Sequence, residues 1–318
     1  MRRRSSNESL HRIKAICSGK EIMNQKVKSY LKLMRVSHYI KNGLVFAAPA
    51  CSGSLFEKDC FLRGAAGFAA FSLASSAVYI MNDIRDREKD ARHPTKCNRP
   101  IASGEISISN ACGLVVILLI AALGCNAAVF RTSSTLLLLL YLILNLAYSF
   151  GLKNVPLADV SILTAGFIMR VQYGAAVTEI SVSNWLYLTV IALAFYLSLG
   201  KRRNELLRVG SGETRTVLQF YTPGFLDKTM YMCLGLANTF YALWCTDAQT
   251  TQFYGGTSLV FTVPIVLLIT MRYSMDIEGN SDGDPVEVLL HDKWLLILFS
   301  VYLAVMLFVL YFLGGKLR

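Results

Sequence analysis

Cysteine patterns able to carry chemistry are missing from this 318-residue chain. Its eight cysteines, Cys17, Cys51, Cys60, Cys97, Cys112, Cys125, Cys233 and Cys245, form no CxxC pair and no Cys/His ligand spacing. That excludes a cysteine-built metal or redox centre and leaves them as small apolar residues in or beside apolar stretches. The first residues lack the apolar core and small-residue cleavage site of a signal peptide, so the N-terminus is expected to stay cytoplasmic. No linker, low-complexity tract or soluble domain interrupts the sequence. This predicts one membrane domain, 31–318, behind a basic, partly disordered cytoplasmic extension, 1–30. The acidic, Gly-rich stretch from Asp276 to Asp292 follows no EF-hand spacing and is read as a lid or partner surface.

What is present is mostly apolar. Residues of that class make up 54% of the chain and the mean hydropathy is +0.45, which favours an all-α, polytopic membrane protein. Nine apolar stretches, 42–56, 62–82, 110–130, 133–151, 156–177, 184–200, 229–246, 256–273 and 293–314, approach the ~20 residues a helix needs to cross a bilayer. Lys and Arg alternate between loops as the positive-inside rule requires. Arg85, Arg87, Lys89, Arg92, Lys96 and Arg99, then Lys153, then Lys201, Arg202, Arg203, Arg208, Arg215 and Lys228, then Arg272 and Lys293 fall on one side. The other side has little beyond Lys58, Arg63, Arg131, Lys316 and Arg318, so the N-terminus is expected inside and the C-terminus outside. The net charge of +11 follows from this topology and needs no nucleic acid; attraction to anionic lipid headgroups is a by-product.

The informative polar segment is Asn82-Asp83-Ile84-Arg85-Asp86-Arg87-Glu88-Lys89-Asp90, at the end of an apolar run. On a helix Asp83, Asp86 and Asp90 share one face within roughly sixty degrees, and three such carboxylates repel one another unless a cation sits among them. Hard oxygen donors suit Mg²⁺, which is usually held by one or two carboxylates together with substrate phosphates. Downstream, Pro94 and Pro100 stop the helix and set an extended path, allowing Lys96 and Arg99 to turn back towards the acidic face. Carboxylates with a metal on one side and cations on the other suit a polyphosphate.

Further candidates are Lys41-Asn42 at the membrane approach, Tyr148 with Lys153, Asp159 with Arg170, and Lys201-Arg202-Arg203 where a span is expected to end. Asp159 and Arg170 lie eleven residues apart, on one helix face and on the order of 16 Å apart in depth. An arginine within the membrane normally faces a polar cavity or a partner. The bland reading of the basic residues is a solvated, membrane-flanking role, and of Arg170 a buried group that fixes packing.

At these residues the chain resembles the UbiA superfamily of intramembrane prenyltransferases. Asn82 to Asp90 matches its NDxxDxxxD motif, and nine spans match its helical bundle. The second Asp-rich motif of its aromatic prenyltransferases is missing, and Gly200-Lys201-Arg202-Arg203-Asn204-Glu205-Leu206 stands there instead. With Lys41-Asn42, His93 to Gly104, Tyr148 to Asp159, Arg170, Arg272-Tyr273 and Gly283-Asp284-Pro285, the chain is similar to the polyprenyl-phosphate phosphoribosyltransferase branch, which includes decaprenyl-phosphate enzymes. Val36 stands where that branch usually has Pro, and Tyr39 where it usually has Trp.

The resemblance implies a Mg²⁺-dependent enzyme of the inner (plasma) membrane with its active site facing the cytoplasm. It would join 5-phosphoribosyl diphosphate to a polyprenyl phosphate for cell-envelope polysaccharide precursors. Asp83, Asp86 and Asp90 would be catalytic and, with Asn82, hold the metal. Lys41, Asn42, Asn82, Arg85, Lys96, Arg99, Tyr148, Lys153, Asp159, Arg170, Lys201 and Arg202 would bind substrate. A homo-oligomer is compatible with the chain. The rivals are a prenyltransferase using prenyl diphosphate and an aromatic or lipid acceptor, and a non-catalytic transporter or scaffold. Charge gathered on one side, instead of along a midplane path, argues against a transporter.

Overall fold

The structure, a computed structural model, describes residues 25–129, 131–208, 216–253, 256–279 and 283–313. Most of the expected N-terminal extension, and Arg215, Asp282, Lys316 and Arg318, lie outside the described residues.

Among the described residues there is no strand. In chain order the helices are α1 (25–34), α2 (Ala47–Cys51), α3 (Lys58–Arg85), α4 (Arg87–Arg92), α5 (Ile108–Ala127), α6 (Thr132–Phe150) and α7 (Ala158–Thr178). They continue with α8 (Asn184–Leu207), α9 (Pro223–Thr246), α10 (Ala248–Phe253), α11 (Val263–Glu278), α12 (Pro285–His291) and α13 (Lys293–Phe308). Local chemistry sets several ends. Gly151 at φ 148° closes α6, a conformation costly for a residue with a Cβ. Thr222, Asp284 and Asp292 cap α9, α12 and α13 by accepting backbone N–H groups of the first turn, two of them with Pro next.

Six segments, Lys58–Arg85, Ile108–Ala127, Thr132–Phe150, Ala158–Thr178, Ser258–Glu278 and Lys293–Phe312, are long and apolar enough to cross a membrane. Two boundaries differ from the sequence expectation. The stretch expected at 42–56 begins earlier, as a 3-10 helix Val36–Phe46 running into α2, and ends at Cys51 before Gly53 at positive φ. The apolar stretch expected to end at 200 runs on as helix, α8 reaching Leu207, and each charge in its last two turns meets a partner within the protein.

The chain forms two compact units. The first holds the described residues up to Val36 with Ser75–Ile120, and the second holds Ser37–Ala74 with the described residues from Ala121 onward. Leu33, Val78, Ile80, Ile101, Ile106 and Ala111 are buried in the first. Two apolar cores of the second bear on its packing among the described residues. One gathers Tyr196, Leu199, Leu226, Met230, Tyr273 and Ile277, and the other Tyr241, Trp244, Leu259, Met306 and Leu310. Val116, Ile117 and Ile120 of α5 and Leu136, Leu139, Leu140 and Ile143 of α6 are exposed instead, a pattern that suits lipid contact.

Candidate active site

In the first unit the acidic segment straddles a slight break. Asp83 lies in the last turn of α3, Asp86 at the junction (φ −88°, ψ 8°) and Asp90 in α4. The backbone ladder persists across the break, with Asp86 N–H donating to the Asn82 carbonyl (2.9 Å) and Asp90 N–H to the Asp86 carbonyl (2.8 Å). Helical periodicity therefore still puts Asp83 and Asp90 on one side. Extended backbone at His93 (ψ 135°) and Arg99 (ψ 141°), beside Pro94 and Pro100, reverses the chain as the prolines predict, with a single 3-10 turn, Lys96–Asn98, between.

Arg99 returns to the carboxylates: its Nη1 donates to Asp83 Oδ1 (3.1 Å) and to Asp90 Oδ2 (2.6 Å). Arg35, which carried no site role from sequence, donates to the same Asp83 oxygen (2.7 Å) and packs over the Tyr79 ring. Lys32 donating to the Asn98 carbonyl and Ser76 to the Met34 carbonyl tie α1 and the 96–98 turn to this end. The carboxylates are buried, while Arg35 and Arg99 keep 24% and 30% of their side-chain surface in solvent. Asn82, Asp86 and Lys96 are half-buried nearby in the chain, and Arg85 is exposed.

Two carboxylate oxygens aimed at one nitrogen form a donor pair suited to a hard divalent cation. Among the described residues, however, no three Asp, Glu, His or Cys side chains are gathered closely enough to hold a metal alone. That fits Mg²⁺ bound through one or two carboxylates and completed by phosphate oxygens, and does not fit an all-protein cage.

In the second unit, Lys201, Arg202 and Arg203 do not act as one patch. Successive residues on a helix point about 100° apart, so each reaches a different neighbour. Arg203 pairs with Asp227 of α9. Arg202 is wholly buried and donates to Asp159 Oδ2 (2.5 Å), Glu205 Oε2 (2.5 Å) and the Tyr148 hydroxyl (3.0 Å). Asp159, equally buried, also accepts from the Tyr221 hydroxyl (2.6 Å), and Tyr221 in turn accepts the Leu157 N–H (2.7 Å). Burial and the hydrogen bond to Asp159 push the Tyr221 phenol up to about 12. Tyr148, Asp159 and Arg202, which the sequence distributes over separate clusters, are thus brought together, with the guanidinium already spent on protein acceptors.

Lys201 goes elsewhere: it and Lys41 both donate to Asp284 Oδ2, at 3.4 and 2.9 Å. Burial alone would raise the Asp284 pKa, but the two ammonium charges outweigh it and hold the carboxyl well below its usual range. Its contribution to stability is therefore present above the ordinary carboxylate pKa and is lost only as pH falls through the lowered value. From sequence, Asp284 and Glu205 stood only within segments that carry the family resemblance, without a site role, and Tyr221 was not named. Asp-Pro before a short amphipathic run is a readable cap signal, but the partnership with Lys41 spans 243 residues of chain.

Lys41 itself rides on the 3-10 stretch, which α7 pins in place. Arg170 donates to Asn42 Oδ1 (2.8 Å) and to the Gly166 carbonyl (2.5 Å), and its guanidinium lies over Phe71 and Tyr141. Asn42 donates onward to Ser72 (3.0 Å). Gly174 lets the Val45 backbone approach α7 so closely that any Cβ there would collide with the Val45 carbonyl. Arg170 and Asp159, on one face of α7 by sequence, therefore serve separate networks. Lys153 sits half-buried in the 3-10 turn Leu152–Asn154.

Comparison with known proteins agrees with this layout. Residues 43–276 match the UbiA prenyltransferase family. The decaprenyl-phosphate phosphoribosyltransferase of Mycolicibacterium smegmatis is 34% identical over 307 residues, covering 90% of this chain and 93% of that protein. That of Corynebacterium glutamicum is 33% identical over 275 residues, covering 84% and 82%. Among solved structures, a UbiA homolog from Archaeoglobus fulgidus bound to GPP and Mg²⁺ shares the fold with a TM-score of 0.67 at 19% identity, over 89% of this chain and 99% of that one.

Proposed function

The chain belongs to the UbiA prenyltransferase family, and on that premise we propose that it transfers the 5-phosphoribosyl group from 5-phosphoribosyl diphosphate to a polyprenyl phosphate, releasing diphosphate. The observation that carries this reading is identity of about a third, over most of both chains, with relatives named for that reaction. Local chemistry supports it: where a prenyl diphosphate enzyme of this family would place a second carboxylate set, α8 places Lys201, which shares Asp284 with Lys41. Two anionic substrates call for cations there.

In this reading the lipid phosphate oxygen attacks the anomeric carbon of the sugar as the bond to diphosphate breaks. A phosphate monoester is largely ionised near neutral pH, so no strong base is needed. Asp83 and Asp90, with Asp86 and Asn82, would hold Mg²⁺, which when bound neutralises charge on the departing diphosphate. Arg35 and Arg99, released from those carboxylates, become donors to the diphosphate oxygens, and Arg85 and Lys96 add positive charge on their side of the chain. Lys41, Lys201 and Lys153 hold phosphate through preorganised charge. Arg202, Asp159 and Tyr148 position α7 and α8, and Arg170 with Asn42 positions the segment carrying Lys41.

The reading extends to the membrane. Val36–Cys51, eleven 3-10 residues followed by five α-helical ones, is about 30 Å long at their respective rises and suffices as a first span. With α8 and α9 and the six apolar helices it completes nine spans. The Lys/Arg asymmetry supports a cytoplasmic N-terminus and catalytic end, and we assign the protein to the inner membrane.

The test is turnover of purified full-length protein with labelled 5-phosphoribosyl diphosphate, polyprenyl phosphate and Mg²⁺. The expected product is a lipid-linked phosphoribose, identified by mass. No such product, with turnover of prenyl diphosphate and an aromatic acid instead, overturns the proposal.

A further inference from the structure

Asp284 does two jobs with its two oxygens. Oδ1 accepts the Val286 N–H (3.0 Å) and caps α12, while Oδ2 receives both Lys41 and Lys201. A cap needs only the first. The chain path is built for the second: Gly283 holds φ 78°, and a Cβ there would stand 2.9 Å from Lys201 Cα and 3.3 Å from the Gly200 carbonyl oxygen. Only glycine lets this turn lie against α8 at that spot. On the other side, the backbone of Lys41 is fixed by the Arg170–Asn42 hydrogen bond and the close approach at Gly174.

Two ammonium groups held on one oxygen would splay apart without the charge between them, since like charges at this spacing repel. With it they form a converged pair of net charge +1. Asp284 is itself almost buried, whereas Lys201 keeps a third of its side-chain surface in solvent and Lys41 about a seventh. The cations thus face outward and the anion behind them.

We propose that Asp284 is a positioning residue that sets Lys41 and Lys201 as a paired clamp for one phosphate monoester. This rests on the phosphoribosyl-transfer reading, which supplies two such groups, the lipid phosphate and the sugar 5-phosphate. The clamp holds one of them, and the substrate whose KM responds identifies it.

Asp284→Asn keeps an N-cap acceptor, so the turn still forms, but it removes the charge that gathers the lysines. In steady-state assays of the full-length protein, varying each substrate in turn, the KM for one substrate rises on the order of tenfold while kcat falls by no more than about threefold. Lys201→Met raises the KM for that same substrate. The double variant is no worse than Lys201→Met within about twofold, because the carboxylate acts only through the clamp. Unchanged KM for both substrates in Asp284→Asn overturns the proposal, as does a loss of melting temperature and kcat at constant KM, or additive effects in the double variant. A wild-type protein that makes no lipid-linked phosphoribose removes the functional reading and this inference together. Wild-type turnover with an unresponsive Asp284→Asn removes the inference alone.

Discussion

Two Arg–Asp assemblies in this protein look alike as residue types and differ in every physical respect that matters for function. At the end of α3, Arg35 and Arg99 hold Asp83 and Asp90 but keep a quarter or more of their own surface in water. Between α7 and α8, Arg202 and Asp159 have none, and a glutamate and two tyrosine hydroxyls complete the knot. The first kind can exchange partners, since each guanidinium leaving a carboxylate finds water or an incoming phosphate. The second cannot, because a buried charge separated from its partner has nothing to replace it. Lys201, a third in solvent, falls with the first kind, and Lys41, at about a seventh, lies between the two.

The sharpest way to break this contrast is to neutralise one member of each assembly. Asp83→Asn is expected to cut turnover on the order of 10²–10³-fold with the protein still folded, and chelation of Mg²⁺ should give a comparable loss that added Mg²⁺ reverses. Wild-type-like turnover in Asp83→Asn would show that the acidic cluster does not grip the leaving group. Arg202→Met should instead destabilise the fold by about 3–5 kcal/mol by leaving Asp159 buried without its cation, seen as a large drop in melting temperature. Arg202→Lys restores little, because a single ammonium cannot serve Asp159, Glu205 and Tyr148 along the guanidinium's three directions. A normally folded but inactive Arg202→Met would return that residue to the phosphate clamps.

Gly174→Ala tests the support beneath Lys41. The added methyl meets the Val45 carbonyl, and the expected cost is about 1–3 kcal/mol, read from thermal unfolding together with weakened phosphate-substrate binding. The smallest effect belongs to Glu88→Ala. Its pairing with Arg87 is 3.6 Å long, with Glu88 largely and Arg87 partly in solvent, so its melting curve should overlay that of the wild type.

Much of the fold and part of the site could be read in advance. The Leu-rich stretches announced most of the long helices, and the prolines at 94 and 100 announced the return of Arg99 to the acidic face. The run of α8 on to Leu207 was not foreseen, because three cations after an apolar run look like a membrane anchor. What carries the helix onward is the set of carboxylates waiting at Asp159, Asp227 and Asp284, each on a different element. The early start of the first helical stretch, at Val36, was missed for a related reason. Polar Ser37, His38, Lys41 and Asn42 lower its hydropathy, while Asn42 is held in the interior by Arg170.

The sequence by itself determined the class of molecule and the chemistry it can offer: apolar runs long enough to span a bilayer, one acidic motif, and cations where a second such motif would stand. These are local properties, set by side-chain type and by helical periodicity. Only the tertiary structure decided which charges are available. The same residue types become clamp or scaffold according to burial and to partners as far apart in the chain as Lys41 and Asp284, and long-range pairing of that kind leaves no local trace.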